Sequence, residues 1–261
     1  MTDDILVAQR VLVSQESGIL KIQINRPDKR NALTAAMYTT IVNALERAEA
    51  DPKIRVVFIT GTADCFTSGN DVMDFLQNPP DEHSPVMRFL RAITVLKKPM
   101  VAAVNGPAVG VGTTWLLHCD LIYAAESAVL QTPFVNLGLC PEAASSYLLP
   151  ALVGLPKAAE ILMLCEPFTA QAALSYGIIN AVLPDAQCQT IAYEKAQKLA
   201  AQPAASVRLT KQLLRNVSAE RVREVMDEEA QYFKTMLTSP EAIEAMSAFL
   251  QKRKPDFSQF D

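Results

Sequence analysis

The stretch from Pro99 to Asp120 reads PMVAAVNGPAVGVGTTWLLHCD, and it decides how the rest of the chain is interpreted. Its first 21 residues carry no charge, which is long enough to span a bilayer. However, Asn105-Gly106-Pro107 interrupts the run, and three polar residues follow it: Thr113, Thr114 and His118. A short apolar segment ending in a glycine-rich turn predicts a buried strand, a turn and a buried helix rather than a membrane span.

The segments on either side of this stretch show the same alternation of strand and helix patterns. Short runs rich in Val and Ile, bounded by Gly, Pro or Asp, predict further strands at Ile19–Ile24, Val56–Gly61 and Leu121–Ala125. Apolar residues at helical spacing behind Thr34 predict a helix that ends near Ala50. Strands separated by helices indicate an α/β fold with crossover connections.

The pattern changes after Glu142 and becomes almost entirely helical. Helical periodicity covers the ranges 185–201, 203–217 and 218–236, which are separated by Pro203 and by a polar break near Asn216. The pattern alone therefore predicts an α/β core over about residues 1–150, followed by a helical part.

Composition excludes several classes of protein. The 261 residues carry a formal charge of −4, and no block of five like charges occurs, which argues against nucleic acid or an anionic membrane as partner. Five cysteines without a Cys-x-x-Cys pair, and only two histidines, argue against a metal site and favour reduced, mostly buried thiols. The acidic Met1–Asp4 segment is unlike an export signal, and Ser258–Asp261 is unlike a peroxisomal address, so we expect a cytoplasmic protein.

Glycine is concentrated where ligands would approach the backbone. Six of the nine glycines lie between residues 61 and 138, in particular within Thr67–Asp71 and Gly106–Gly112. Each of these two clusters stands where a strand leads into a helix, so free N–H groups could face a ligand there, although tight packing turns explain the pattern equally well. Neither cluster matches a Gly-x-Gly-x-x-Gly fingerprint or a P-loop, which disfavours nucleotide binding.

Four segments, in this order and spacing, resemble the crotonase superfamily of acyl-CoA enzymes: Asn25–Leu33 (NRPDKRNAL), Phe66–Asp71 (FTSGND), Lys98–Gly110 with Cys119-Asp120, and Ala173–Val182 (ALSYGIINAV). The resemblance implies an α/β core that is a crotonase-like spiral of repeated ββα units, over residues 1–200. It also implies a helical C-terminal trimerisation region over 201–261. The implied ligand is an acyl-CoA thioester, with no separate cofactor because CoA is part of the substrate. A homotrimer or a dimer of trimers is expected, since apolar stripes such as Val222, Val225 and Met226 need a partner surface.

The resemblance also implies particular site residues. The backbone N–H groups of Asn70 and Val111 are expected to form an oxyanion hole for the thioester carbonyl. Two lysines are expected near the CoA phosphates, and the full set of expected substrate-binding residues is Lys29, Ala32, Ser68, Gly69, Asn70, Asp71, Val72, Phe134 and Lys211.

The acid/base residue separates the members of this superfamily. Enoyl-CoA hydratases carry two Glu residues at the positions occupied here by Thr114 and Phe134, and neither of these can transfer a proton near neutral pH. Pro141-Glu142 instead resembles Δ3,Δ2-enoyl-CoA isomerases of the peroxisomal type, in which one Glu carries the catalysis. We therefore expect Glu142 to be the catalytic residue. The alternative is that Glu142 only begins a helix, Glu142–Val153, and favours its dipole.

Two other hypotheses remain open from the sequence, and a third is disfavoured. The chain could perform another crotonase reaction on an acyl-CoA, such as hydration, thioester hydrolysis or dehalogenation. It could also be a non-catalytic CoA-binding member. A hydrolase triad of Ser145 or Ser146 with His118 and Asp120 is disfavoured, because no Gly-x-Ser-x-Gly elbow is present.

Overall fold

A six-stranded sheet forms the centre of the protein. The computed structural model describes residues 9–77 and 81–260. In the described parts the strands are β1 (Val11–Glu16), β2 (Ile19–Ile24), β3 (Val56–Thr60), β4 (Met100–Val104), β5 (Pro107–Val109), β6 (Leu121–Ala125), β7 (Val129–Gln131), β8 (Phe168–Thr169) and β9 (Ala181–Leu183). The main sheet has the order β1-β2-β3-β4-β6-β9, and a small second sheet has the order β5-β7-β8. Only the β1–β2 pair of the main sheet is antiparallel.

Helices connect the strands and form the C-terminal part. They are α1 (Ala35–Ala50), α2 (Val72–Gln77), α3 (Pro85–Val95), α4 (Val111–Leu116), α5 (Ser145–Val153), α6 (Leu155–Ala159), α7 (Ala170–Ser175), α8 (Cys188–Ala201), α9 (Ala204–Asn216), α10 (Ala219–Met236) and α11 (Pro240–Leu250). Two 3₁₀ turns, Pro27–Lys29 and Val135–Leu137, and a π-helical turn, Glu160–Leu164, complete the set. The predicted buried strand and buried helix around residue 106 are confirmed as β4 and α4, and a short strand that was not predicted, β5, lies between them.

Alternating side chains of the parallel strands build a core on both faces of the main sheet. In β3, Val57 and Ile59 join the larger core, while Val56 and Phe58 face the opposite side. Helix α8 covers that opposite side with small residues at four-residue spacing, Cys188, Ala192, Ala196 and Ala200. Burial on both faces explains why the strands read as continuous apolar runs in the sequence.

Helix α1 begins as the sequence predicts. The Thr34 hydroxyl accepts a hydrogen bond from the Met37 N–H at 3.4 Å, which satisfies one of the free donors of the first turn. The residues at helical spacing, Met37, Ile41, Leu45 and Ala48, are buried on the face that packs against the sheet.

The prediction of an almost entirely helical chain after Glu142 is wrong in two places. Strand β8 pairs with β7, and β9 adds a sixth strand to the main sheet by pairing in parallel with β6. Both strands are only two or three residues long. Periodicity cannot identify such short strands, because their placement depends on pairing with distant residues.

The apolar stripe of α10 is used within the chain. Val222, Val225 and Met226 are buried against the main core. These three side chains therefore do not need a neighbouring subunit, and the argument for a trimer that was based on them is wrong. Exposed apolar side chains lie instead on α9, where Leu213 is 63% and Leu214 is 76% exposed.

The structure bears on two further expectations. Four of the five cysteines are buried, as predicted. Within residues 9–77 and 81–260, no helix is both long enough and apolar enough to cross a bilayer. The Met1–Asp4 segment, on which the expectation of no export signal depended, lies outside the described residues.

Candidate active site

The two glycine clusters lie against each other. Thr67 and Ala108 form an isolated parallel bridge, in which the Thr67 N–H donates to the Pro107 carbonyl at 3.0 Å. The Val109 N–H donates in return to the Thr67 carbonyl at 3.0 Å. Gly69 adopts a φ of +91°, and a Cβ there would lie 3.0 Å from the Val109 oxygen. Glycine is therefore required at position 69 both by the backbone conformation and by the close approach of the second cluster.

The two expected oxyanion donors are free of internal partners. Leu33 accepts from the Asp71 N–H and donates to the Gly69 carbonyl, each at 2.8 Å, and the N–H of Asn70 lies between these two bonds. Val111 is the first residue of α4, where N–H groups have no partner within the helix. Among the residues that the structure describes, neither N–H donates a hydrogen bond. Two backbone donors on adjoining loops are what an oxyanion site requires.

The Asn70 side chain is held by a buried tyrosine. The Tyr38 hydroxyl, on α1, donates to the Asn70 Oδ1 at 2.5 Å. Burial raises the pKa of Tyr38 well above its usual value, and the negative charge of Glu142 raises it further. Tyr38 therefore stays a neutral donor, and its interaction with both residues links the first glycine cluster to the expected catalytic carboxylate.

The early loop is joined to the first cluster by an ion pair. Arg26 Nη1 donates to Asp71 Oδ2 at 2.7 Å and to the Ala32 carbonyl at 3.0 Å, and Arg26 is buried. Asp71 Oδ1 accepts from the N–H groups of Met73 and Asp74 at the start of α2. Burial would raise the pKa of Asp71, but the Arg26 and backbone hydrogen bonds together hold it below its usual value. Through their hydrogen bonds with Arg26, Ala32 and Asp71 therefore fix the shape of the early loop and of the first glycine cluster.

The two lysines expected near CoA phosphates occupy different surroundings. Lys29 is exposed at the end of a 3₁₀ turn in the early loop. Lys211 lies on α9 and is largely buried, and its ammonium donates to Asp120 Oδ2 and to the Lys98 carbonyl, both at 2.8 Å. The ammonium of Lys211 is thus engaged inside the protein and is not brought together with the glycine clusters. The contact of either lysine with CoA stays a prediction.

The remaining expected contacts surround the clusters. Ser68 and Val72 are half-buried on either side of the Gly69–Asp71 turn. Phe134 is buried in a small core with residues of the C-terminal helices, which include Phe233 and Met246. Gly138 directly follows the second 3₁₀ turn, Val135–Leu137. It allows α11 to pack directly on the loop after Phe134, since a Cβ at Gly138 would lie 2.7 Å from the Ala242 nitrogen.

Glu142 lies in the loop between the second 3₁₀ turn and α5. It is only 6% exposed, and the Thr114 hydroxyl on α4 donates to its Oε1 at 3.3 Å. Burial raises the pKa of Glu142 to about 7, the negative charge of Glu229 adds to the rise, and the Thr114 hydrogen bond partly offsets it. Protonated and ionised forms of this carboxyl therefore coexist near neutral pH, which suits a group that must take and return a proton.

The backbone after Glu142 contradicts the alternative that it merely begins a helix. Helix α5 starts at Ser145 rather than at Glu142. Ala143 and Ala144, both buried, adopt left-handed conformations with φ of 58° and 56°. A left-handed conformation costs roughly 1–2 kcal/mol for a residue with a Cβ, so the surrounding structure must stabilise this turn. Left-handed residues of this kind concentrate at functional sites.

A second buried carboxylate holds the turn. Glu229, on α10, is 6% exposed, and its Oε2 accepts from the Ala144 N–H at 2.6 Å while its Oε1 accepts from the Ser146 N–H at 2.9 Å. His118 Nε2 lies 2.8 Å from the Ala143 carbonyl, which can only accept, so the imidazole donates. Hydrogen bonds to a charged group contribute about 1.5–3 kcal/mol each, which is of the same order as the cost of the left-handed pair.

Glu229 was not identified from the sequence, although a signal was present. It lies three and four residues after Met226 and Val225 and four residues before Phe233, so it belongs to the buried stripe of α10. An acidic residue on an apolar stripe requires a partner, because an unpaired buried carboxylate is very costly. That partner, the backbone near residue 144, lies 85 residues away in the chain and carries no sequence signature.

The hydrolase triad is ruled out by the hydrogen bonds of its members. Burial lowers the pKa of His118 to about 4, so the ring is neutral, and its Nε2 donates to a backbone carbonyl. Asp120 pairs with Lys211 and with Arg215 instead of with the histidine. His118 is therefore a structural residue, as the sequence predicts.

A cavity of about 360 Å³ lies beside Asp120 and Arg215. It is lined mainly by apolar residues of α4, α5 and the segment before β9, and it contains none of the expected site residues. The candidate site is thus defined by the two glycine clusters and Glu142 and not by this cavity.

The fold and these loops define the class of the protein: it has a crotonase fold, with two adjoining glycine-rich turns and a buried carboxylate that is hydrogen-bonded to the helix after the second turn. The chain matches the enoyl-CoA hydratase/isomerase family over residues 14–260, and it belongs to that family. The crystal structure of an enoyl-CoA hydratase/isomerase from Pseudoalteromonas atlantica T6c is 40% identical, with a TM-score of 0.91 over 95% of this chain and 99% of that chain.

Relatives with different activities are similar to this chain. Enoyl-CoA delta isomerase 2 of Rattus norvegicus is 38% identical over 252 residues, which cover 94% of this chain. The chain spans 64% of the length of that relative. A 2,3-dehydroadipyl-CoA hydratase of Escherichia coli K12 is 33% identical over 252 residues, which cover 95% of this chain and 98% of the hydratase. Membership of the family therefore does not by itself choose between isomerisation and hydration.

Proposed function

We propose that the protein is a Δ3,Δ2-enoyl-CoA isomerase, which moves the double bond of a 3-enoyl-CoA to give 2-trans-enoyl-CoA. The observation that carries the proposal is the state of Glu142. It is a buried carboxyl with a pKa of about 7, on a backbone turn that is held from two sides. A group with this pKa is an efficient base and an efficient acid at neutral pH.

The reaction needs one proton acceptor and one site for negative charge. The N–H groups of Asn70 and Val111 bind the thioester oxygen, so that charge can move onto it as an enolate forms. Glu142 removes a proton from C2, which is acidified by the carbonyl and by the adjacent double bond. The same carboxyl, now protonated, delivers that proton to C4, and the double bond closes between C2 and C3. The proton count balances without water or any cofactor.

Hydration requires more than these residues supply. A water molecule must be activated by one group while a proton is delivered by another, so two proton-handling side chains are needed. Thr114 is a hydrogen-bond donor to Glu142, and Phe134 is buried in an apolar cluster. The second carboxylate nearby, Glu229, already accepts two backbone N–H groups. These contacts support isomerisation over hydration.

Thioester hydrolysis and non-catalytic CoA binding are the other functions to be tested. Both predict that 3-enoyl-CoA is not converted to a conjugated product. The discriminating experiment incubates the protein with 3-enoyl-CoA, 2-trans-enoyl-CoA and a saturated acyl-CoA of equal chain length. The increase in conjugated enoyl-thioester absorbance reports isomerisation, and release of free CoA thiol reports hydrolysis.

The decisive variant is Glu142→Gln. It keeps the size of the side chain and the hydrogen bond from Thr114, but it cannot accept a proton from C2. We expect turnover to fall by about 10³-fold or more, in line with the loss of acid/base catalysis, while acyl-CoA affinity changes little. Glu166→Gln, at an exposed position, is the matched control and should keep full activity. A Glu142→Gln variant with a tenth of the wild-type rate would exclude Glu142 as the base.

A further inference from the structure

We propose that Glu229 is a positioning residue for Glu142, because it holds the left-handed turn through two backbone N–H groups and thereby fixes the direction of the Glu142 carboxyl. This inference rests on the proposed proton transfer by Glu142. The two oxygens of Glu229 bind N–H groups two and four residues after Glu142, at 2.6 and 2.9 Å. Glu229 is itself buried, and so is its hydrogen bond with the Ala144 N–H.

The turn is fixed on both of its sides. His118, from the end of α4, donates to the carbonyl of Ala143, and Glu229, from α10, accepts from the N–H of Ala144. The Ser145 N–H donates to the carbonyl of Glu142 at 3.0 Å, which completes the connection to the catalytic residue. Loss of the Glu229 contacts would leave the buried Ala144 N–H unpaired and release a backbone conformation that alanine does not favour, whereas the N–H of the exposed Ser146 could turn to water.

Glu229 also acts on Glu142 through its charge. The groups that act on Glu142 are the Thr114 hydroxyl of α4, the Tyr38 hydroxyl of α1, the Cys140 thiol and Glu229 of α10. Those that act on Glu229 are the turn N–H groups, the Ser146 side chain, the Cys140 thiol and the neighbouring Glu228. No positively charged side chain is among the groups that shift the pKa of Glu142 in the described part of the chain. The charge of Glu229 therefore raises the pKa of Glu142 with no cation to offset it.

Two substitutions separate the two effects. Glu229→Gln keeps the shape of the side chain but removes its charge. The NH₂ group of Gln is a donor, so it cannot accept a hydrogen bond from one of the two backbone N–H groups. Glu229→Asp keeps the charge but is one methylene shorter, so it cannot reach both N–H groups. Glu228→Gln removes an exposed charge from the same helix without touching the turn, and it is the matched control.

We expect kcat on 3-enoyl-CoA to fall about 10- to 100-fold in both Glu229 variants, as for a misplaced catalytic group, while KM changes little. Because Glu142 must be ionised to accept the C2 proton, kcat/KM of the wild type rises with pH through about 7. In Glu229→Gln the midpoint of this rise should move to lower pH, since a charge that disfavours ionisation has been removed. In Glu229→Asp and Glu228→Gln it should stay near the wild-type value.

A folded Glu229→Gln variant with the wild-type kcat and pH midpoint overturns the proposal, even if its thermal stability is lower. Should Glu229→Gln fail to fold, a Glu229→Asp variant with the wild-type kcat overturns it equally. Failure of the proposed function is recognised separately, by a wild-type protein that does not isomerise 3-enoyl-CoA. In that case the effect of Glu229 on the pKa of Glu142 is measured without substrate, by following the ¹³C carboxyl signal of Glu142 as the pH is changed. This signal is assigned by its absence from the spectrum of Glu142→Gln.

Discussion

Replacing Glu142 with Gln should stabilise the fold in alkaline solution while it abolishes turnover. The pKa of Glu142 rises from 4.5 to about 7 on folding, mainly through burial. One pKa unit corresponds to 1.36 kcal/mol, so this difference corresponds to about 3 kcal/mol. The carboxyl is mostly protonated in both states at pH 4, where it costs little. As pH rises, the unfolded chain loses the proton first, and unfolding becomes more favourable until both states are ionised above pH 7.

Gln does not titrate, so the variant avoids this cost. We expect the free energy of unfolding of Glu142→Gln, relative to the wild type, to increase by about 3 kcal/mol between pH 4 and pH 8.5. Urea unfolding at several pH values measures this difference, with the protein concentration held fixed because association also contributes to stability. Glu166→Gln, with an exposed side chain, should show no such dependence on pH.

The test is how the difference in free energy of unfolding between Glu142→Gln and the wild type changes with pH. Differences between Glu and Gln that do not depend on pH cancel in this comparison. If the Glu142→Gln and wild-type stabilities ran parallel within about 0.5 kcal/mol over this range, Glu142 would have an ordinary pKa in the folded protein. Glu142 would then be ionised throughout the neutral range and would not be suited to serve as both acid and base.

Two further predictions concern substrate choice and assembly. With Thr114 and Phe134 in place of two carboxylates, hydration of 2-trans-hexenoyl-CoA should be orders of magnitude slower than isomerisation of 3-hexenoyl-CoA, and comparable rates measured side by side would contradict this reading of the two positions. We also propose a homotrimer or a dimer of trimers, for which the exposed Leu209, Leu213 and Leu214 of α9 supply apolar surface. Light scattering at micromolar concentration should give the mass of three or six chains. A mass of 28.5 kDa, that of one chain, would contradict this proposal.

The sequence was sufficient for those parts of the fold that depend on local pattern. Strands β2 and β6 have the predicted bounds, and β3 ends one residue before its predicted end. Strand β4 begins one residue after Pro99, where the apolar run begins. The helix behind Thr34 and the helices at 188–201, 204–216 and 219–236 also agree with their periodicity. Strands β1, β5, β7, β8 and β9 were not predicted. The last four have only two or three residues, which contain too little pattern and are held by distant partners, whereas β1 has six residues.

The candidate site could be predicted only as far as single residues carry a signature. Glycine at position 69 and the carboxylate at 142 are visible in the sequence because their chemistry is tied to residue type. The left-handed Ala143–Ala144 turn is not visible, since alanine gives no indication of such a backbone. The ion pair of Lys211 with Asp120 is likewise not visible in the sequence, and its expected contact with CoA stays a prediction.

The contact between Glu229 and Ala144 has a consequence for the order of events during synthesis. The two residues are separated by 85 positions, and at about 5–20 residues per second the ribosome needs roughly 4–17 s to add them. During that interval the segment around Glu142 has emerged, but the side chain that holds its backbone has not. A nascent chain can therefore assemble β1 to β4 while its turn at 143–144 is still unsupported, and the last quarter of the polypeptide determines when the carboxyl first acquires its final orientation.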